Sequence, residues 1–405
     1  MLSETILPGM VPDHVPAALV RDFDIYDFEG AFLDVHEAWH RMANREPDVF
    51  FTPRNGGFWV VTRPELLEAI WPDGERFSSA NGISVPPPVP GSLAMLPIEA
   101  DDPIHKIMRR PLDMALSPKE VRHLSETARQ LCISIIDDLQ PRGGCDFIAD
   151  FSLKMPMELF LRLVDLPSRD RDWLVGLASG MTKTADEAKR HTFLADMFGY
   201  LNEWIVKRSA TPGNDLMSKI VTMDLNGRAL THDEKLGYLA NTMFGGLDTV
   251  GGAMGFITKH LAEHPEHRAH LRANPNAIPA AVEEFLRRYS LPTISRTPTE
   301  DMMLGDVSAK AGDRVMISTI AHGVSDKRWG NAMEVDLKRS PQNHLAFGRG
   351  THRCPGANLA RAEIRIFIEE WLARIPEFRI APGAKVVYAP GNVSGLKNLP
   401  LVWDL

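Results

Sequence analysis

Cys354 stands in the run Phe347-Gly348-Arg349-Gly350-Thr351-His352-Arg353-Cys354-Pro355-Gly356, directly ahead of an amphipathic segment that starts at Ala357. A thiolate is a nucleophile and a metal ligand, and it stays ionised only where N–H groups or positive charge face the sulfur. The run offers both, because the helix that follows presents its N-terminus to the sulfur and cationic side chains flank it. Gly348, Gly350 and Gly356 admit backbone conformations closed to residues with a Cβ. An isolated cysteine is most often a small buried hydrophobe. The spacing Phe-x-x-Gly-x-His-x-Cys-x-Gly sets this one apart, since five of ten positions match.

A second group lies at Gly245-Gly246-Leu247-Asp248-Thr249, within a helical pattern that runs from Thr231 to Pro265. Thr231 and Glu234 have the spacing of a capping box, Pro265 is the stop, and the helix between them is about 50 Å long at 1.5 Å per residue. A helix of that length without heptads is expected to be central and buried. Each mid-helix glycine costs about 1 kcal/mol relative to alanine, and close approach of a flat ligand is one reason to keep them. A threonine hydroxyl can bond back to a carbonyl of the preceding turn. Asp248 can carry protons, and the Thr249 hydroxyl can donate and accept at once. Glu284 and Arg287 share a helix face three residues apart, a spacing more often found in weak surface pairs.

The elements that must position these residues are mainly helical. Patterns of helical period cover Val121 to Asp138, Met155 to Val164, Asp186 to Arg208, Ile278 to Tyr289 and Ala357 to Ile375. Strand-like pieces are short, notably Gly57 to Thr62 in a hairpin-like setting and Arg314 to Ile317. Ser84 to Pro97 carries Pro86, Pro87, Pro88 and Pro90, so it is read as a long loop. Loops of that length tend to be functional, and this one is expected to form a lid over a substrate entrance. With 44% hydrophobic and 24% charged residues and no linker or repeat, residues 1–405 read as a single domain.

A formal net charge of −8 argues against nucleic acid as a partner. Cys132, Cys145 and Cys354 are too few and scattered for a disulfide framework. The N-terminal residues have no basic segment followed by an apolar core, and no apolar run reaches the length of a spanning helix. A cytoplasmic protein without a membrane anchor is therefore expected.

The cysteine run, the Gly-Gly-x-Asp-Thr segment and the Glu-x-x-Arg pair together resemble the cytochromes P-450, and the similarity extends over nearly the whole chain. Leu359-Ala360-Arg361, Glu370-Trp371-Leu372, Arg374-Ile375-Pro376-Glu377-Phe378 and Leu399-Pro400-Leu401-Val402-Trp403-Asp404 are similar to the bacterial class I members, in particular the camphor 5-monooxygenase branch. The resemblance implies the cytochrome P-450 fold, a large helical part with small antiparallel β-sheets. It also implies haem b with Cys354 as axial thiolate and Phe347 packed against the ring, with Gly245 beside the haem. Asp248 and Thr249 then relay protons to dioxygen during its cleavage. His105, Arg109, Arg296 and His352 match the family's places for the haem propionates. Glu284 and Arg287, completed by Arg339, become a structural constellation that holds the cysteine loop.

No flavin or nicotinamide fingerprint is present, so electrons must come from outside. The branch takes them from a [2Fe–2S] ferredoxin reduced by a flavoprotein, which implies a docking patch on the cysteine face for which Arg76, Lys106, Arg110 and Arg361 are candidates. Substrate-facing positions implied by the resemblance are Leu93, Ile98, Asn241, Phe244, Pro292, Asn392 and Val393. Leu93 falls where camphor hydroxylase has a tyrosine, and Ile98 replaces a small polar residue, so a camphor-type ketone fits less well than other small terpenoids. The expected substrate is a cyclic monoterpene ether such as cineole, or a norisoprenoid such as ionone, hydroxylated at an unactivated C–H bond. A haem-binding sensor or electron carrier is the competing reading. A zinc hydrolase built on His352 and Cys354 lacks further ligands at metal-site spacing.

Overall fold

The computed structural model describes residues 11–89, 91–183, 186–247, 249–340 and 343–405, with backbone alone at 178, 179, 181–183, 187, 190 and 247. Asp248 therefore lies outside the described residues. The first helices are α1 (Val35–Arg45), α2 (Pro64–Ile70), α3 (Ile104–Ala115), α4 (Pro118–Leu139) and α5 (Lys154–Val164). Next come α6 (Arg171–Lys183), α7 (Glu187–Ala210), α8 (Leu216–Val221), α9 (His232–Leu247) and α10 (Thr249–Glu263). The last are α11 (Pro265–Ala273), α12 (Ile278–Arg288), α13 (Thr319–Gly323), α14 (Asp326–Trp329) and α15 (Ala357–Arg374).

Local chemistry explains many of the starts. Asp34 caps α1 by accepting from the N–H groups of His36 and Glu37 at 2.9 and 3.1 Å, which satisfies amides that have no intrahelical partner. Proline opens α2, α4 and α11, where its missing N–H has no cost. The capping box of α9 is closed on both sides: the Thr231 N–H donates to Glu234 at 2.7 Å, and the Glu234 N–H donates to the Thr231 hydroxyl at 3.2 Å. The helical pattern expected from Thr231 to Pro265 is thus present as α9 and α10, which flank residue 248.

The strands are β1 (Val49–Thr52), β2 (Phe58–Val61), β3 (Phe77–Ser78), β4 (Gly144–Asp146), β5 (Thr293–Pro298) and β6 (Met302–Leu304). They continue with β7 (Val307–Ala309), β8 (Val315–Ser318), β9 (Arg379–Ile380), β10 (Tyr388–Ala389), β11 (Gly395–Leu396) and β12 (Pro400–Val402). The largest sheet has the order β1-β2-β8-β5-β3. Its pairings are antiparallel except one, which corrects the expectation of antiparallel sheets throughout: β2 and β8 run parallel, with Trp59 opposite Val315. Parallel neighbours need a long crossover, and more than half of the chain separates these two strands.

Two apolar clusters form the core. One joins the large sheet to α10, α12 and α15, and the other gathers α3, α5, α7, α8 and α9. Behind the cysteine loop, α15 packs on α4. Phe147, Phe151, Phe367 and Trp371 meet there with ring centroids 5.0–6.0 Å apart, which gives α15 a rigid base. α10 is buried from Gly251 through Thr258. It achieves this through small residues, since a Cβ on Gly251 would come within 2.6 Å of the Ser152 carbonyl oxygen and one on Gly255 within 2.7 Å of Ile148.

Candidate functional site

The cysteine loop is shaped by two glycines in the left-handed region, Gly348 (φ +65°) and Gly350 (φ +73°). Space demands them as well, because a Cβ at Gly348 would meet the Trp71 ring at 2.8 Å and one at Gly350 would meet the Pro72 backbone at 2.6 Å. Gly356 differs from the expectation. Its φ is −80°, open to any residue, and its Cβ would lie 3.8 Å from the Cys354 sulfur. The turn is closed by the Cys354 N–H, which donates to the Phe347 carbonyl at 2.9 Å, and α15 begins three residues later.

The Cys354 side chain is accessible but sits in a recess dense with protein atoms. That desolvation raises the thiol pKa, while the Gly356 N–H and the charges of Arg109, Arg361 and Arg353 pull it down. These are the donors and cations that a bound thiolate needs. Phe347 is half-buried, with the Arg361 guanidinium stacked 4.5 Å from its ring centroid.

Above the loop, four residues from distant parts of the chain converge, and their state bears on whether haem fits. The rings of His105 and His352 lie 4.0 Å apart; His352 Nδ1 is buried without a hydrogen-bond partner, and His105 Nδ1 lies 3.6 Å from the Asp102 carboxylate. Arg296 on β5 is 2% exposed. It donates to the Ser295 carbonyl, and its Nη2 is a further buried donor without a partner. Desolvation lowers the Arg296 pKa to about 10, opposed by Asp101. Burial, with the charges of Arg296, His105 and Arg109, lowers His352 to about 3. Buried nitrogens without partners on Arg296 and His352 are what two propionates would satisfy, so the residues present fit the group.

Arg109 departs from this pattern. Its guanidinium bonds the carbonyls of Thr351 (3.4 Å) and Arg353 and the Asp113 carboxylate (2.9 Å), so much of it holds the cysteine loop. Ser79, whose hydroxyl is 3.4 Å from His352 Nε2, carries no sequence signal of its own and was missed. Trp71 and Pro72, the wall against the loop glycines, were missed for the same reason.

Glu284 and Arg287 are fully buried and paired at 2.9 and 2.7 Å. Arg339 adds a bond to Glu284 at 3.2 Å, and Arg287 also donates to the carbonyls of Gly323, Ala332 and Glu334. This is a saturated buried network, unlike the exposed pair that the spacing alone suggests.

On the central helices, the Thr249 hydroxyl donates to the Gly245 carbonyl at 3.0 Å. The two glycines there serve different ends. A Cβ on Gly245 would meet nothing within 4 Å, whereas one on Gly246 would strike the Phe160 ring at 2.7 Å. Of the two, Gly245 faces open space, as the flat-ligand explanation requires, whereas packing against Phe160 accounts for Gly246.

Among its described residues the proline-rich segment has neither helix nor strand, as expected, and hydrogen bonds fix its two ends. The Ser295 N–H donates to the Ile83 carbonyl at 2.7 Å, and Glu99 accepts from the N–H groups of Ile83 and Met95 at 3.1 and 2.8 Å. The Ala94 carbonyl seats directly on Gly237 of α9, where a Cβ would come within 2.0 Å of its oxygen. This seating places Leu93 against the same turn, one turn from Asn241. Leu93, Ile98, Asn241 and Phe244 are half-buried, and Pro292 pairs with Val393 in an isolated bridge.

Asn392 is not free to meet a substrate. Its amide bonds the N–H and carbonyl of Val85 at 3.2 and 2.9 Å and the Tyr26 hydroxyl at 3.0 Å. The expected basic patch is also largely neutralised: Arg76 pairs with Asp73 and Glu300, Lys106 with Asp102, and Arg361 with Glu283.

With this geometry in view, the comparisons are specific. The family model "Cytochrome P450" matches residues 173–384. A probable cytochrome P450 127A1 of Sinorhizobium fredii is 34% identical, over 97% of this chain and 97% of its own. The crystal structure of cytochrome P450 CYP101C1 superposes with a TM-score of 0.87 at 36% identity, covering 98% of this chain and 100% of that one. Mycobacterium marinum cytochrome P450 CYP268A2 in complex with pseudoionone gives 0.84 at 25% identity, covering 95% and 99%. No helix among the described residues is long and apolar enough to cross a membrane. The chain belongs to the cytochrome P450 family and is a monooxygenase whose cofactor is haem held by a cysteine thiolate.

Proposed function

We propose that this monooxygenase hydroxylates an unactivated C–H bond of a small hydrophobic terpenoid, with electrons from a [2Fe–2S] ferredoxin reduced by a flavoprotein. Cys354 would hold the haem iron through its thiolate, and His105, His352 and Arg296 would hold the propionates, with Arg109 fixing the loop. The haem, when bound, supplies activation of dioxygen with electron donation from the thiolate.

The chain's own residues do the rest. Glu284, Arg287 and Arg339 fix the carbonyls of Gly323, Trp329, Ala332 and Glu334, in the segment that leads into the cysteine loop. The Thr249 hydroxyl, held by the Gly245 carbonyl, presents its oxygen as an acceptor beside the open face of Gly245. Asp248 delivers protons to it from solvent. Leu93, Ile98, Phe244, Pro292 and Val393 exclude water from the reacting carbon.

One observation supports the substrate class most directly. With Asn392 committed to Val85 and Tyr26, Asn241 is the amide left in an otherwise apolar lining, and among the described residues its side chain has no hydrogen-bond partner. A compact apolar molecule with one acceptor matches such a lining. The likeness to a protein crystallised with pseudoionone agrees with that chemistry.

The test is a screen of the ferric spin state, in which a fitting ligand displaces iron-bound water. Cineole and ionone are expected to shift it strongly, and Asn241→Leu to weaken ethers and ketones while sparing hydrocarbons of the same shape. Tight, regioselective turnover of camphor would overturn the reading of Leu93.

A further inference from the structure

A cavity of about 380 Å³ opens between α1, α10, α11 and α12, away from the cysteine loop. Three histidines meet in it: His260 near the end of α10, His264 in the link, and His267 in the first turn of α11. One ring nitrogen from each can be chosen so that all three lie within 4.8 Å of one another. The rings of His260 and His264 stack at 4.2 Å. His260 Nε2 and His267 Nδ1 are 2.8 Å apart, so in the metal-free protein they share a single proton. Around tetrahedral zinc, with Zn–N bonds of about 2.0–2.1 Å, ligand nitrogens sit roughly 3.3 Å apart. A small opening of this pair would admit the ion.

Two of the three outer nitrogens already have the partners a metal site needs. His260 Nδ1 is 2.9 Å from the Tyr289 hydroxyl, and His264 Nδ1 is 3.0 Å from the Glu266 carboxylate. Metal-bound imidazoles almost always donate their second N–H to such a group, which fixes the tautomer and leaves the other nitrogen for the ion. Lys259 and Arg288 also line the cavity. Lys259 is paired with Glu263 at 2.7 Å, and Asp34, Glu266 and Glu334 outweigh Arg288.

We propose that His260, His264 and His267 bind one divalent transition-metal ion of the zinc class, which clips the end of α10 to α11. The proposal does not depend on the substrate or on the haem chemistry.

The experiment is zinc uptake by the untagged, haem-loaded protein, measured by competition with a chromophoric chelator. One equivalent should be held. His264→Ala, at a position whose side chain is 46% exposed, should abolish uptake without disturbing the carbon monoxide spectrum. His267→Ala should do the same, and Tyr289→Phe should weaken binding about tenfold. No uptake by the parent protein, or uptake that survives His264→Ala and His267→Ala unchanged, overturns the proposal.

Discussion

Around Cys354 the chain is held by charge and hydrogen bonds, whereas the roof over Thr249 is held by neighbours seated directly on glycine backbone. The cysteine side uses Arg109 on loop carbonyls and the saturated Glu284 network behind it. The roof uses the absence of side chains, with Gly237 under Ala94 and Gly246 under Phe160. The difference teaches where tolerance to change should lie. A thiolate ligand and its cations admit few substitutes, while an apolar roof can change shape with each side chain and so set which molecule is oxidised.

The sharpest way to break the comparison is Cys354→Ser. Product formation should vanish, and the carbon monoxide difference band typical of thiolate ligation should be lost even if haem is retained; an unaltered band would remove Cys354 from the site. Next comes Glu284→Gln, which strands two buried or half-buried guanidinium groups. A loss of about 3–5 kcal/mol is expected in urea unfolding, with haem leaking from the folded fraction. A loss under about 1 kcal/mol would make the pair no better than a surface bridge.

Gly237→Ala probes the other side. The new methyl must push the Ala94 carbonyl away, an overpacking that costs about 1–3 kcal/mol. Substrate-induced spin shifts should weaken while the carbon monoxide band stays. Equal loss of both would merge the two regions into one cooperative unit.

The pH dependence of stability concerns neither region directly. Burial and the Arg288 charge lower His36 to about 4, and burial lowers His322 to about 4 against the pull of Glu68. Unfolded imidazoles protonate near pH 6.5, so between about pH 6.5 and 4 the unfolded state binds more protons. Stability is full above that window and falls as pH drops through it, by up to about 1.4 kcal/mol per pH unit for each histidine. Unfolding curves at several pH values should show this slope, and His322→Gln should flatten it; an unchanged slope removes His322 from the account.

Much of the fold was legible because strong periodicity and caps coincided. Thr231 and Glu234 announced α9, and the helices from Val121, Met155 and Ile278 lie where their patterns put them, within a few residues at the ends. The parallel pairing of β2 with β8 was not legible, since nothing in two four-residue strands records which distant partner each will find. Gly237 went unread for a similar reason: a lone glycine in a helix signals close approach but not to what.

By itself, the amino-acid order determined the chemistry of this protein. Thiolate ligation, proton transfer and a buried ion pair each need particular side chains at short, recognisable spacings, and the residues around Cys354, Thr249 and Glu284 with Arg287 have those spacings. Only the tertiary structure decided which donors are still unpartnered. It used the Asn392 amide within the fold, turned Arg109 toward the loop, and left His352 and Arg296 with buried nitrogens that have no hydrogen-bond partner. It also brought His260 and His267 to within hydrogen-bonding distance around a proline turn. The physical reason is that availability belongs to a group's neighbours, and neighbours hundreds of residues away leave no trace in local spacing.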